Sequence, residues 1–228
     1  MQAEIRRKMA TGLTALNFSK VHPEVSAGFA TTLKGLEGLV ANADGLATRQ
    51  RAGIIAERNA HAQKRELKDA IGRTHLHHLF RVAKVAGTAE WALPLKFRQP
   101  TERRSLQGFR TAARAMVVEA QVNREVLIGY GMSEELVADL VLPLDQFDAA
   151  MDAAVAGRSA HVGARVELEV VVQEMMEVVE VLDGRNRFRF KDDAELLAAW
   201  ESAGNVVTLK PGTADGPTSV PAQVKPAA

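Results

Sequence analysis

The sequence predicts an all-α fold: an antiparallel bundle of four to five main helices, with short accessory helices and a disordered C-terminal tail. Apolar residues recur at spacings of three and four along most of the chain, which is the helical period. Only 8 Phe, 2 Trp and 1 Tyr occur in 228 residues, although strands usually recruit aromatic side chains. The last 19 residues hold four of the eight prolines and have no apolar period, which predicts disorder.

Composition excludes several classes of function. The absence of cysteine excludes disulfides, thiolate metal sites and cysteine nucleophiles. The 29 basic and 28 acidic residues give a net charge of +1, so overall charge predicts neither a polyanion nor a membrane partner. We find no apolar run of the roughly 20 residues that span a membrane, and we expect no signal peptide. A cytoplasmic location is therefore expected.

The predicted domain organisation has three parts. Residues 1–22 form a short amphipathic helix and a linker, because the residue before Pro23 is disfavoured in a helix. Residues 23–207 form a single helical-bundle domain, and residues 208–228 form the disordered, proline-rich tail.

Helix boundaries follow from breakers and caps. The second helix begins near Pro23, and its pattern continues to Gly87. Because an unbroken helix would exceed 60 residues, we expect a reversal between residues 48 and 60. Residues 88–101 are expected to be an extended connection packed by Trp91, Leu93, Leu95 and Phe97.

The C-terminal half predicts three further helices. The first is capped by Thr101. The second begins near Ser133, contains Pro143 and ends at Gly157. The third covers 166–182, and a short helix carrying Trp200 follows Asp192.

One polar residue interrupts the first of these patterns. Residues 106–127 follow a heptad repeat in which Asn123 occupies an apolar position. A lone asparagine there commonly sets register or partner number; the alternative is an amide that orients a ligand in a bundle cavity.

Charge is arranged by segment. Residues 49–104 contain 13 basic and 5 acidic residues, a net charge of +8, whereas residues 134–204 contain 6 and 16, a net charge of −10. We expect these segments to be neighbours in one bundle. The alternatives are association of two copies through opposite faces and nucleic-acid binding through residues 49–104. Nucleic acid is the least expected partner, because stacking aromatics and a recognisable reading helix are missing.

Two short motifs could carry a site. His75 and His78 are three residues apart and could share a metal, although a satisfied core or boundary histidine is the commoner role and Glu-x-x-His is absent. The run from Arg185 to Lys191 could bind single-stranded nucleic acid. We expect instead that Arg185, Arg187 and Arg189 stabilise the negative end of the acidic helix while Phe188 and Phe190 close the bundle.

Several positions together resemble an uncharacterised family of small all-helical bacterial proteins. They are the Gly129-Tyr130-Gly131 turn, Gly157-Arg158 before a long helix, Leu182-Asp183 near its end, and Phe190 ahead of the apolar run ending at Trp200. The resemblance spans about residues 23–207. It implies a helical bundle, and it transfers no catalytic or binding residue.

The sequence therefore predicts a non-enzymatic scaffold or protein-interaction protein that self-associates, without a cofactor or membrane partner. The main alternative is a bundle that binds a small ligand or metal through His75 and His78. Nucleic-acid binding through residues 49–104 is the second alternative.

Overall fold

The computed structural model describes residues 2–89, 91–98 and 105–205. Every regular element in these residues is helical, which confirms the all-α prediction. Thr101 and the tail 208–228 lie outside the described residues. The helices are α1 (Ala3–Val21), α2 (Ala27–Ile71), α3 (His77–Ala86), α4 (Leu93–Lys96), α5 (Leu106–Val122), α6 (Arg124–Gly129), α7 (Leu136–Arg189) and α8 (Ala194–Gly204), with a π-helix at Gly72–Leu76.

Two helices are longer than predicted. The expected reversal between residues 48 and 60 is wrong, because α2 runs unbroken through 45 residues. The expected end at Gly157 is also wrong, because α7 continues through 54 residues and accommodates Pro143 inside the helix. Helices in proteins are stabilised mainly by the packing of their apolar side, so a long helix can form where a buried stripe continues along it.

Contacts divide the chain into two compact units. Unit 1 contains Met1–Asp44 and Leu168–Ala228, and unit 2 contains Gly45–Glu167. The division falls inside α2 and α7 and not in a loop.

Unit 1 combines α1, the first part of α2, the last part of α7 and α8. Its core includes fully buried Phe29, Leu36 and Trp200. Thr14 on α1 donates its hydroxyl to the carbonyl of Ala203 on α8 at 2.6 Å, so a hydrogen bond joins α1 to α8.

Unit 2 has a continuous core built from α3 to α7 and the end of α2. Phe109 on α5 meets Phe147 on α7 edge to face, with ring centroids 5.5 Å apart. Arg114 on α5 binds Asp148 on α7 at 2.9 Å. Apolar packing and an ion pair therefore hold the same two helices together.

The π-helix corrects the predicted helical phase near residue 75. Ile71 and Leu76 are both fully buried although they are five residues apart, a spacing that one extra residue per turn accommodates. Leu76 consequently takes the core position that the regular period assigned to His75, which is only half-buried.

The connection after α3 is also only partly as predicted. Leu93 and Phe97 are buried, but Trp91 and Leu95 are exposed. The next helix begins at Leu106, where the hydroxyl of Ser105 accepts a hydrogen bond from the amide of Gly108 at 3.0 Å.

Candidate interaction surfaces

Unit 2 exposes a group of large apolar side chains around α4, α5 and α6, which we call the apolar patch. Trp91 is 82% exposed, Val122 74% and Leu95 70%, and Val118 and Val126 are also exposed. Single exposed apolar residues are ordinary on soluble proteins. A group that includes a tryptophan is typical of protein interfaces.

One ion pair brings the two halves of the apolar patch together. Lys96, which follows Leu95 on α4, binds Glu119 on α5 at 2.9 Å. Glu119 lies one residue beyond Val118 and three before Val122, and residues three or four apart share one side of a helix. The exposed end of α4 therefore borders the valines of α5.

Asn123 supports this arrangement. It lies half-buried at the junction between α5 and α6. Its side-chain amide donates to the carbonyl of Glu119 at 2.7 Å and to the carboxylate of Glu119 at 3.3 Å. Both of these bonds are local to α5, and a role of Asn123 in register or partner number stays a prediction.

Arg185 binds the loop before α2 in unit 1. Its Nε donates to Glu24 at 2.7 Å, a second nitrogen donates to Ser26 at 2.6 Å, and the guanidinium lies over the Phe29 ring at 5.6 Å. The hydrogen bonds from Arg185 lower the pKa of the Glu24 carboxyl below its ordinary value. The same pairing raises the pKa of Arg185.

Arg187 and Arg189 bind other elements of unit 1. Arg189 donates to the carbonyls of His22 and Pro23 at 2.8 and 2.9 Å. Arg187 bridges Asp183 on α7 and Glu201 on α8 at 2.9 and 2.6 Å, and these hydrogen bonds raise its pKa. The three arginines therefore bind chain segments that pack beside the end of α7.

Trp200 completes this end of unit 1. Its indole is fully buried, and its Nε1 donates to Asp183 at 2.8 Å. Phe18 packs against both Trp200 and Phe190. The prediction that Phe188 also packs here is wrong, because Phe188 is 75% exposed.

A cavity of about 260 Å³ lies beside this network and includes Met176, Glu180, Asp183, Arg187 and Glu201 in its lining. Asp183, Arg187 and Glu201 already bind one another. Their arrangement holds α8 on α7.

His75 and His78, the weak candidates for a metal site, differ in exposure. His75 is half-buried and its Nδ1 lies 2.7 Å from the Thr74 hydroxyl, whereas His78 is exposed. Among residues 2–89, 91–98 and 105–205, no group of three or more His, Asp or Glu could hold a metal ion.

Sequence reasoning missed the apolar patch. The spacing of four that joins Val118, Val122 and Val126 is visible in the sequence. The heptad on the opposite side of α5 predicts the buried side of this helix and says nothing about a contact on its exposed side. No sequence pattern predicts the exposure of Trp91, because an apolar residue in a loop can pack inward or outward.

Comparison with known proteins found no match among protein-family models, curated proteins or solved structures. None of the helices in the described part of the chain has both the length and the apolar content that a membrane span requires.

Proposed function

We propose that this protein is a non-enzymatic, self-associating protein-interaction protein, and that the apolar patch is its contact surface. The observation that carries this proposal is the exposure of Trp91 and Leu95 on a segment that an ion pair joins to α5. Tryptophan is strongly enriched among the residues that dominate interface energies. Leaving its indole in water forgoes the free energy that burial would supply.

The surroundings of the patch support a preformed contact surface. Lys96, Glu119 and Asn123 hold α4, α5 and the α5–α6 junction in place through hydrogen bonds. A surface that is already ordered loses less conformational entropy when it binds. The partner that we propose is a second copy of the chain, joined by an isologous contact.

The proposal includes an antiparallel bundle of four to five main helices as the scaffold, in a bacterial cytoplasm. The order of ion pairs within unit 2 supports the direction of the helices. Arg110 binds Asp148, and Arg114 binds Asp145 as well as Asp148, an order that fits helices running in opposite directions.

Light scattering coupled to size-exclusion chromatography tests the proposal. At micromolar concentration we expect a mass that is a multiple of the 24.7 kDa chain. The double substitution Trp91→Ser and Leu95→Ser should return it to one chain, because a contact that loses a central aromatic anchor typically loses 2 kcal/mol or more.

The matched control is Val21→Ser with Val25→Ser, which changes two exposed apolar residues in unit 1. This control should keep the wild-type mass. A single-chain mass for the wild type at both low and moderate salt would contradict self-association. Equal effects of the two double substitutions would reject the apolar patch as the contact.

A further inference from the structure

A second surface of unit 2 is strongly basic. It lies where α2 and α7 pass each other, in the segments 45–68 and 152–166. The buried positions on α2 include Leu46, Gln50, Gly53, Ala60 and Lys64, and those on α7 include Ala154, Gly157 and Ala164. These positions follow a heptad on each helix and form the seam between α2 and α7. The heptad therefore places each remaining residue on one side of the seam or the other.

Direct contacts establish which side is which. Arg49 lies 3.7 Å from Glu167, while Glu57 lies 2.9 Å from His161 in the seam. Both Arg49 and Glu167 precede a seam position by one residue, so this pair marks one flank of the seam. Residues that follow a seam position by one, which include Arg51, Arg58 and Arg65 on α2 and Arg158 on α7, lie on the opposite flank.

We call these four arginines the basic face. All four are exposed, and none has an ion pair within the described part of the chain. Of the carboxylates in the two segments, Glu57 binds His161 in the seam, and neither Glu66 nor Asp152 directly follows a seam position. In the described residues these four arginines therefore stay unpaired, although segments of α2 and α7 are neighbours here.

The spacing of the basic face suits a regular anion. Arg51, Arg58 and Arg65 are seven residues apart, which places them about 10 Å from one another along a straight helix. Guanidinium groups bind phosphate through two parallel hydrogen bonds. A row of them about 20 Å long matches a polymer that presents phosphates along its whole length.

We propose that the basic face binds the phosphate backbone of double-stranded nucleic acid without reading its sequence. A duplex is favoured over a single strand because segments 45–68 and 152–166 contain no Phe, Tyr or Trp for base stacking. It is favoured over a membrane surface because the exposed large apolar residues in these two segments are Ile55, Val155, Val162 and Val166, whereas interfacial helices insert Trp, Phe or Leu.

Fluorescence anisotropy with a labelled 30-base-pair DNA duplex of mixed sequence tests this site. Four phosphate contacts predict that the logarithm of affinity falls with the logarithm of salt concentration with a slope of about −3.6. Between 50 and 200 mM salt the wild type should therefore lose about a hundredfold in affinity. The variant Arg51→Gln, Arg58→Gln, Arg65→Gln should reduce the magnitude of that slope by about three.

A second triple substitution, Arg73→Gln, Arg81→Gln and Lys84→Gln, removes the same charge from exposed residues outside the basic face. It should keep the wild-type slope. The single substitution Arg158→Gln should reduce the magnitude of the slope by about one. It tests the basic face from α7 even if the triple variant folds poorly.

Three results would overturn the proposal. The first is no duplex binding by the wild type at 50 mM salt. The second is equal weakening by the two triple substitutions, which would reflect total charge and not this face. The third is binding to vesicles that contain phosphatidylserine without binding to the duplex, which would identify the ligand as a lipid surface.

Discussion

Polar side chains buried at the core of unit 1 are the clearest features at the scale of single residues. Asn186 is 1% exposed, and its side-chain nitrogen has no hydrogen-bond partner in the described structure. It lies four residues beyond buried Leu182 and four before buried Phe190, on the apolar side of α7. A buried amide nitrogen without a partner costs roughly 1–3 kcal/mol.

We therefore expect Asn186→Leu to raise the free energy of unfolding by about 1 kcal/mol. Urea denaturation followed by circular dichroism measures the change. Asn17→Leu, at an exposed position of α1 in the same unit, should stay within about 0.5 kcal/mol of the wild type. A loss of stability in Asn186→Leu would mean that the amide has a partner in solution.

Glu24 provides a pH-dependent contribution to the stability of unit 1. Its pKa in the folded protein is lowered from 4.5, chiefly by the hydrogen bonds from Arg185. A carboxyl with a lowered folded pKa binds protons less readily than it does in the unfolded chain. Its contribution is therefore complete above the ordinary pKa and is lost as the pH falls through the folded value.

The substitution Glu24→Gln should consequently lower the melting temperature at pH 6 to 7 and have a smaller effect as the pH falls below 4.5. Melting curves between pH 7 and 3 test this expectation. Glu177→Gln, at an exposed position without an ion pair in the described residues, should leave the wild-type profile unchanged. A constant difference between Glu24→Gln and the wild type across this range would exclude the ionised pair as its cause.

At the scale of elements, the close approach of α2 and α7 in unit 2 depends on two glycines. A β-carbon built on Gly157 would lie 2.7 Å from the backbone nitrogen of Glu57, and one on Gly53 would lie 2.8 Å from the backbone nitrogen of His161. These contacts are with backbone, which cannot move aside as a flexible side chain can. Gly157 is thus required inside the helix, where the sequence pattern predicted a helix end.

Gly157→Ala should lower the free energy of unfolding by about 1–3 kcal/mol, since overpacking forces the backbones apart. Gly163→Ala in the same helix is the matched control, because its new β-carbon would meet nothing within 4 Å. The control should gain up to about 1 kcal/mol from the higher helix propensity of alanine. Stabilisation by both substitutions, measured by thermal melting, would exclude the close backbone contact.

The whole molecule combines a nearly neutral total charge with two very different exposed surfaces in unit 2. The apolar patch contains Trp91 and Leu95, and the basic face contains arginines alone. The free energy of burying apolar area is largely insensitive to ordinary salt, whereas interactions between exposed charges are screened.

Self-association should therefore persist when sodium chloride rises from 50 to 500 mM, while duplex binding is lost. Sedimentation velocity of the full chain at several concentrations measures the first response. Dissociation of the oligomer at high salt would indicate a charged contact between chains and would contradict the role of the apolar patch.

The local sequence pattern was enough to predict the all-α class and many of the buried positions. The period of three to four residues identifies Leu36, Phe109 and Leu182 as buried without any knowledge of their neighbours. The composition likewise sufficed to exclude cysteine chemistry. These properties are local, because each depends on the spacing of a few residues and on their intrinsic preferences.

Helix ends and surfaces were decided by tertiary structure. Glycine commonly marks a helix end, but Gly53 and Gly157 lie inside long helices, where they permit a close backbone contact. Trp91 and Phe97 are both apolar residues of one connection, yet only Phe97 is buried. Arg51 and Arg158 are 107 residues apart, so their placement on one flank depends on how two helices pack. A sequence pattern describes one helix at a time, whereas burial and surface charge depend on which helices meet.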